Sequence, residues 1–236
     1  MSAGRAGPIL VIESNRRLGH AIVEQLLADG FKAELARTAE HARILARASA
    51  PTLALLGRLD APRGALALLE EIRGSTHART PWDRGLAAIV VGCRDRELDI
   101  LRAFEAGADD VVAGPVTYLE LRARLRAVLR RTASPPEHAQ SIEVGALRID
   151  TSAHAASLDG RPLDLRRMEF ELLVHLAREP QRVFAKDELL RAVWGYRSGG
   201  STRTLDSHAS RLRRKLAPDG ARRWVINVWG IGYRLI

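Results

Sequence analysis

Five short apolar runs, each followed by an amphipathic stretch, constrain the first half of this chain more than any other feature. The runs are Ile9–Ile12, Ala33–Leu35, Leu53–Leu56, Ala88–Val91 and Asp110–Val112. Helical patterns follow them at about Arg17–Asp29, Ala39–Ala48, Gly64–Arg73, Asp95–Glu105 and Tyr118–Arg131. Runs as short and bulky as ILVI and LALL suit strands buried on both faces of a parallel sheet, with the helices as right-handed crossovers that cover it. The fold expected is a doubly wound, five-stranded α/β domain over residues 1–131, with its chemistry at the carboxyl ends of the strands.

The pattern then breaks. RRTASPPEHAQS, with Pro135–Pro136 among small polar residues, reads as a linker over residues 132–140. From residue 141 short strands come first: SIEVGALRID, then a hairpin pattern around Asp159–Gly160. Three helical patterns follow, at Arg167–Glu179, Lys186–Trp194 and Thr202–Leu216, and WVINVWGIGYRLI closes the chain with two β segments. Three helices followed by a β-hairpin predict a winged-helix domain over residues 141–236.

Charge says which half meets an anion. The chain carries a net charge of +9. Residues 1–140 hold 20 Lys and Arg against 17 Asp and Glu, whereas 141–236 hold 17 against 11. Most of the excess therefore sits in the shorter half, and it is mainly Arg, which suits bidentate contact with phosphate and guanine. The single cysteine, Cys93, excludes an internal disulfide and offers no metal-ligand spacing. No apolar stretch approaches the roughly twenty residues of a membrane span. MSAGRAGPILVIES lacks the apolar core of a signal peptide. A cytoplasmic protein with no metal and no cofactor is expected.

The anion-binding element is expected in RTLDSHASRLRRKL. Leu205, Ala209, Leu212 and Leu216 recur at helical spacing and form an apolar stripe. Ser207, Ser210, Arg211 and Arg214 fall on the opposite face, with Arg203, Thr204 and His208 on its flanks. The major groove of double-stranded DNA admits such a helix, and Arg pairs there with guanine O6 and N7. Arg211 is placed on the outward arc, where base edges would lie. Ser201 or Thr202 is a candidate cap for the helix.

These segments resemble a known family. RRMEFELLVHLAREPQRVFAKDELLRAVWGY, RTLDSHASRLRRKL and VINVWGIGYRL, in this order, look like the effector domain of OmpR/PhoB-type response regulators. The resemblance implies DNA contacts from Arg203, Thr204, Ser207, His208, Ser210, Arg211 and Arg213, and a contact with RNA polymerase from GYRSGGST at residues 195–202. One departure stands out: the hairpin carries Trp229 where the family usually has a basic residue. An indole cannot neutralise a phosphate, which leaves that role to Arg234 or Arg222–Arg223.

The N-terminal half resembles the family's receiver domain in length and element order, and ends in the familiar GADD and ELRARLRAVLRR. Receivers carry an acidic pair for Mg²⁺, a phosphoaccepting Asp, a Ser or Thr, and a Lys before Pro. At the matching places this chain has Glu13–Ser14, Gly57, Gly92, and Gly114 before Pro115. The nucleophile, the hydroxyl and the ammonium are all replaced by hydrogen, and one carboxylate makes a poor Mg²⁺ site. Asp60, three residues beyond Gly57, reads as a solvated loop acid. Glycines at three loop starts leave a void that is either collapsed or open as a pocket rimmed by Arg16, Arg58 and Arg94.

The family's receivers pair through their fourth helix, fifth strand and fifth helix, which implies a dimer contact through Leu101, Phe104, Asp110, Arg122, Arg124 and Arg126. The function expected is a sequence-specific, DNA-binding transcription regulator, a homodimer that needs no phosphorylation and is not an enzyme. The alternative is a protein-interaction adaptor whose pseudo-receiver docks a partner or small ligand.

Overall fold

In the computed structural model, residues 7–60, 64–74, 80–83, 85–93, 97–133, 141–196, 202–217 and 224–236 are described. The chain divides into two compact units, Met1–Leu129 and Arg130–Ile236.

The first unit alternates strand and helix: β1 (Ile9–Ile12), α1 (Arg16–Ala28), β2 (Ala33–Ala36), α2 (Ala39–Ser49), β3 (Leu53–Leu56), α3 (Gly64–Arg73), β4 (Ala87–Cys93), α4 (Glu97–Ala106), β5 (Asp110–Ala113) and α5 (Tyr118–Ala133). The five strands form one parallel sheet in the order β2-β1-β3-β4-β5. Every residue of ILVI and LALL is buried, as strands covered on both faces require. One face packs Ile22 and Leu26 of α1 and Leu121, Leu125 and Val128 of α5. The other packs Ala42 and Ala46 of α2, Leu68, Leu69 and Ile72 of α3, and Ile100, Ala103 and Phe104 of α4.

Register decides what stands together at the functional edge. Ile9 is level with Leu53, and Ile12 with Leu56. Beyond the strands the pairing continues: Gly57 N donates to Ile12 O at 2.8 Å and Ser14 N to Arg58 O at 2.8 Å. Glu13 and Gly57 therefore leave the sheet side by side.

The second unit opens with β6 (Ser141–Val144), β7 (Leu147–Asp150), β8 (Ala155–Leu158) and β9 (Arg161–Pro162), an antiparallel sheet in sequence order. Asp159 and Gly160 turn the last hairpin with φ of 51° and 75°, the positive pair that a tight two-residue turn demands. Helices α6 (Arg167–Arg178), α7 (Lys186–Trp194) and α8 (Thr202–Leu216) follow, and β10 (Phe184–Ala185), β12 (Gly232–Arg234) and β11 (Ile226–Val228) form a second sheet in that order. Leu173 and Leu176, Leu189 and Trp194, and Leu205, Ala209, Leu212 and Leu216 join the three helices in one core with Trp224 and Tyr233. This is a doubly wound, five-stranded α/β domain followed by a winged-helix domain. Among the described residues no helix is long and apolar enough to cross a membrane.

Candidate functional site

Helix α8 presents two faces, and the division between them is not the one the apolar stripe predicts. Arg203, Ser210 and Arg214 are exposed and Ser207 is half-buried. These residues are spaced by four, three and four, so they form one outward row opposite Leu205, Ala209, Leu212 and Leu216. Guanidinium groups stand at both ends of the row, with two small hydroxyls between them.

Three of the expected DNA contacts lie inside instead. Arg211 is 6 % exposed, and Thr204 and His208 are buried. The reason is Glu169 on α6, which is 0 % exposed. Its Oε2 accepts from Arg166 N at 2.9 Å, closing the first turn of α6, and pairs with Lys215 Nζ at 2.7 Å. Its Oε1 lies 3.3 Å from Arg211 Nε. Arg211 also meets His208 Nδ1 at 2.9 Å, and the His208 ring sits 5.4 Å from that of Trp194. A buried carboxylate needs cations in contact with it. Arg211 supplies one, so the outward arc assigned to it in the sequence is corrected: its guanidinium ties α8 to α6. The sequence held a signal for this. Glu169 stands between Met168 and Phe170 in a stripe of core residues, where an acid needs a cationic partner.

The hairpin is fastened to α8. Arg213, half-buried, donates from Nε to Val225 O at 2.9 Å, and Tyr233 OH donates to Asp206 Oδ1 at 2.7 Å. Burial and that bond to Asp206 push the Tyr233 phenol well above its ordinary value, so it remains a donor. Lys186 Nζ lies 2.8 Å from Asp206 and balances its charge. Gly232 brings β12 against Phe184 O so closely that a Cβ there would collide with it. Arg234 is half-buried, with its Nε enclosed. Ser201, Arg222 and Arg223, residues 197–200 of the loop assigned to RNA polymerase, and the Thr202 side chain lie outside the described residues.

At the receiver edge the space left by Gly57 is occupied. Glu13 is 3 % exposed. Its Oε1 accepts from Asn15 N at 2.8 Å and its Oε2 from Arg58 N at 2.9 Å. A Cβ built on Gly57 would collide with Glu13 Oε2 and lie 3.2 Å from Ile12 O. The carboxylate lies in the space beside Gly57 of the neighbouring strand and satisfies two loop amides. Of the two states left open for the glycine edge, this part is filled. Gly92 is exposed, with a φ of 73° and open space where a side chain would stand, and Gly114 is half-buried. Ser14 is half-buried, while Arg16, Arg58 and Asp60 are exposed; Arg94 lies outside the described residues. A cleft of about 380 Å³ opens nearby between α2 and α3, lined by Arg37, Thr38, Leu59, Asp60 and Leu68 among others. Its wall is the ion pair of Arg43 with Glu71 at 2.7 Å, which holds the Glu71 carboxyl below its ordinary range. Among the described residues no group of three metal-ligating side chains forms.

The expected dimer residues divide in the same way. Leu101 and Arg126 are exposed, and Leu98 and Leu119 add exposed apolar surface on α4 and α5. Phe104, in contrast, is a core residue beneath α4. Asp110 is buried and paired within the chain to Arg124 at 3.1 Å, which also binds Glu120 at 2.7 Å. Arg122 lies 3.3 Å from Asp29. Phe104 and Asp110 are thus corrected from contact residues to internal ones, because α4 turns Phe104 onto the sheet and Arg124 neutralises Asp110.

Comparison with known proteins agrees with this architecture. The family model for "Transcriptional regulatory protein, C terminal" matches residues 160–235. The chain is 33% identical over 227 residues to the DNA-binding response regulator MtrA of Mycolicibacterium smegmatis, covering 96% of this chain and 95% of that protein. It is 31% identical over 234 residues to the transcriptional regulatory protein SrrA of Staphylococcus aureus, covering 96% and 94%. Among solved structures a mutant of RitR superposes with a TM-score of 0.70 at 24% identity, covering 98% of this chain and 99% of that one, a likeness of fold.

Proposed function

Because the chain belongs to the OmpR/PhoB family of DNA-binding response regulators, we propose that it regulates transcription as a phosphorylation-independent dimer on double-stranded DNA. The observation that carries the finer part of this reading is Glu13. Its carboxylate fills the place of the acceptor side chain that Gly57 lacks, so neither a nucleophile nor a free acidic pair is offered to a phosphoryl donor. Phosphoryl transfer to a receiver needs a carboxylate oxygen that attacks and a cation that neutralises the charge. Glu13 is engaged in holding two backbone amides, and Gly92 and Gly114 contribute no hydroxyl and no ammonium.

DNA is engaged by the outward row of α8. Arg203 and Arg214 meet phosphates or guanine edges from the two ends of the row, and Ser207 and Ser210 let the helix backbone approach the groove closely. Thr204, His208 and Arg211 act from inside by fixing α8 on its domain. Pairing uses the exposed part of the receiver surface, Leu98 and Leu101 on α4 with Leu119 and Arg126 on α5. By the family resemblance, the loop at 195–202 is where RNA polymerase is met.

The test is to select duplexes with the purified, untreated full chain, then to titrate a selected duplex against a scrambled one while following size by sedimentation. The reading expects a dimer that prefers the selected duplex by at least roughly a thousandfold. Equal affinity for both duplexes would refute sequence-specific regulation.

A further inference from the structure

Three adjacent strands of the first unit end level: Ile12 is paired with Ala36 on one side and with Leu56 on the other. Hydrogen bonds keep the three exits together. Glu13 N donates to Ala36 O at 2.9 Å and Ser14 N to Arg58 O at 2.8 Å, and α1 begins two residues later with Arg16 and Arg17. Arg16, Arg17, Arg37 and Arg58 are thus brought to one edge, and all four are exposed. By contrast, Arg43, Arg73, Arg102, Arg122 and Arg124 each face a carboxylate, of Glu71, Asp109, Asp99, Asp29 and Asp110 in turn. The four at the edge have no such partner among the described residues. The first turn of α1 carries no acid, and both oxygens of Glu13 are taken by the Asn15 and Arg58 amides. Counting the buried Glu13 and the exposed Asp60 against the four arginines leaves a net charge of +2 at this edge.

We propose that this edge is a metal-free, non-covalent binding site for the pyrophosphate group of a small molecule, held by these guanidinium groups. The sign of the edge is the reason. A receiver that takes up Mg²⁺ presents clustered carboxylates there, whereas this chain presents unpaired cations over one carboxylate that is already satisfied. A guanidinium is a planar fork that meets phosphate oxygens two at a time, and clustered positive charge favours a multivalent anion. Neighbouring strands lie about 4.8 Å apart, so the exits of β2 and β3 are roughly 10 Å apart and one compact polyanion is reached from both. Gly92, at the end of the next strand, leaves open space where a side chain would stand. Free pyrophosphate and a nucleoside diphosphate share this chemistry. The site does not depend on the reading of α8 as the DNA-binding helix.

The full chain is titrated calorimetrically with pyrophosphate, ADP and adenosine, each in EDTA and in Mg²⁺. The same titrations are run on Arg37→Ser/Arg58→Ser, on Arg203→Ala/Arg214→Ala in α8, and on Arg47→Ser, an exposed arginine in the last turn of α2. Pyrophosphate and ADP should bind in EDTA and adenosine should not. Arg37→Ser/Arg58→Ser should weaken binding at least about tenfold, at an unchanged urea midpoint because both side chains are exposed. The α8 variant and Arg47→Ser should bind as the parent does. Tighter binding of ADP than of pyrophosphate would support the site and make its ligand a nucleotide; equal binding would support it with pyrophosphate alone as the recognised group. Binding lost in the α8 variant and kept in the edge variant would move the anion to the DNA-binding surface and overturn the inference. So would a strict need for Mg²⁺, or no binding of either phosphate compound at millimolar concentration. A chain that binds pyrophosphate at the edge but shows no preference among duplexes would keep this site and refute only the reading of α8.

Discussion

The receiver edge and the packing of α8 onto α6 each involve a buried glutamate, and the two have opposite consequences. Glu13 is turned into the space beside Gly57, where its partners are backbone amides. Glu169 is buried against Arg211 and Lys215, side chains of α8. The first glutamate occupies the space that a side chain at position 57 would need. The second anchors a helix whose other face remains free to bind. A charged residue at a functional element is thus not by itself a functional contact, since what it pairs with inside the fold decides its role.

The largest effect that separates the two regions is expected from Arg211→Ala. Removing one cation from a fully buried carboxylate should cost about 3 kcal/mol, the low end for a broken buried pair because Lys215 remains. Urea denaturation of the effector domain reads this directly. The preference for a selected duplex over a random one should survive in the folded variant. A collapse of that preference at unchanged stability would return Arg211 to the DNA surface.

Gly57→Asp comes next. The new Cβ must displace Glu13 and strand the Arg58 and Asn15 amides, at a cost of roughly 1–3 kcal/mol. Denaturation followed in the receiver should show that loss, and intact mass after acetyl phosphate should show no adduct. A variant as stable as the parent would mean that Glu13 does not hold this place tightly.

A smaller effect is expected on the outward row. Arg214→Ala should weaken selected and random duplexes together and lower the salt slope by about one if it meets phosphate. Loss confined to the selected duplex would instead make Arg214 a base reader.

The smallest effect concerns a third inward group. Burial, with Arg178 and Arg182 nearby, lowers His175 below its ordinary value of 6.5. In the window between that lowered value and 6.5 the unfolded chain binds more protons than the folded one, so stability falls as the pH drops through it and is full above it. His175→Leu should flatten the change in urea midpoint between about pH 7.5 and 5.5. An equally steep change would assign it to other groups.

Much of this was legible in the sequence. ILVI and LALL declare buried parallel strands, the stripe from Leu205 to Leu216 declares the inward side of α8, and Asp159–Gly160 declares its hairpin. What escaped is tertiary. The outward reading of Arg211 failed because its partner lies on α6, far away in sequence, and ion pairs across helices leave no periodic trace. Phe104 was offered to a partner because periodicity finds an apolar face without saying whether the sheet already covers it. The role of Glu13 depends on the β1–β3 register, which sets it beside Gly57. The strand Phe184–Ala185 is too short to show a period.

The proposed phosphorylation-independent regulator requires that the receiver edge accept no phosphoryl group. The most direct measurement is a titration of a selected duplex with the full chain before and after incubation with acetyl phosphate and Mg²⁺, with intact mass recorded on the same samples. The expected result is an unchanged mass, an unchanged affinity and a dimer in both samples. A stoichiometric phosphoryl adduct that tightens DNA binding or drives pairing would contradict it.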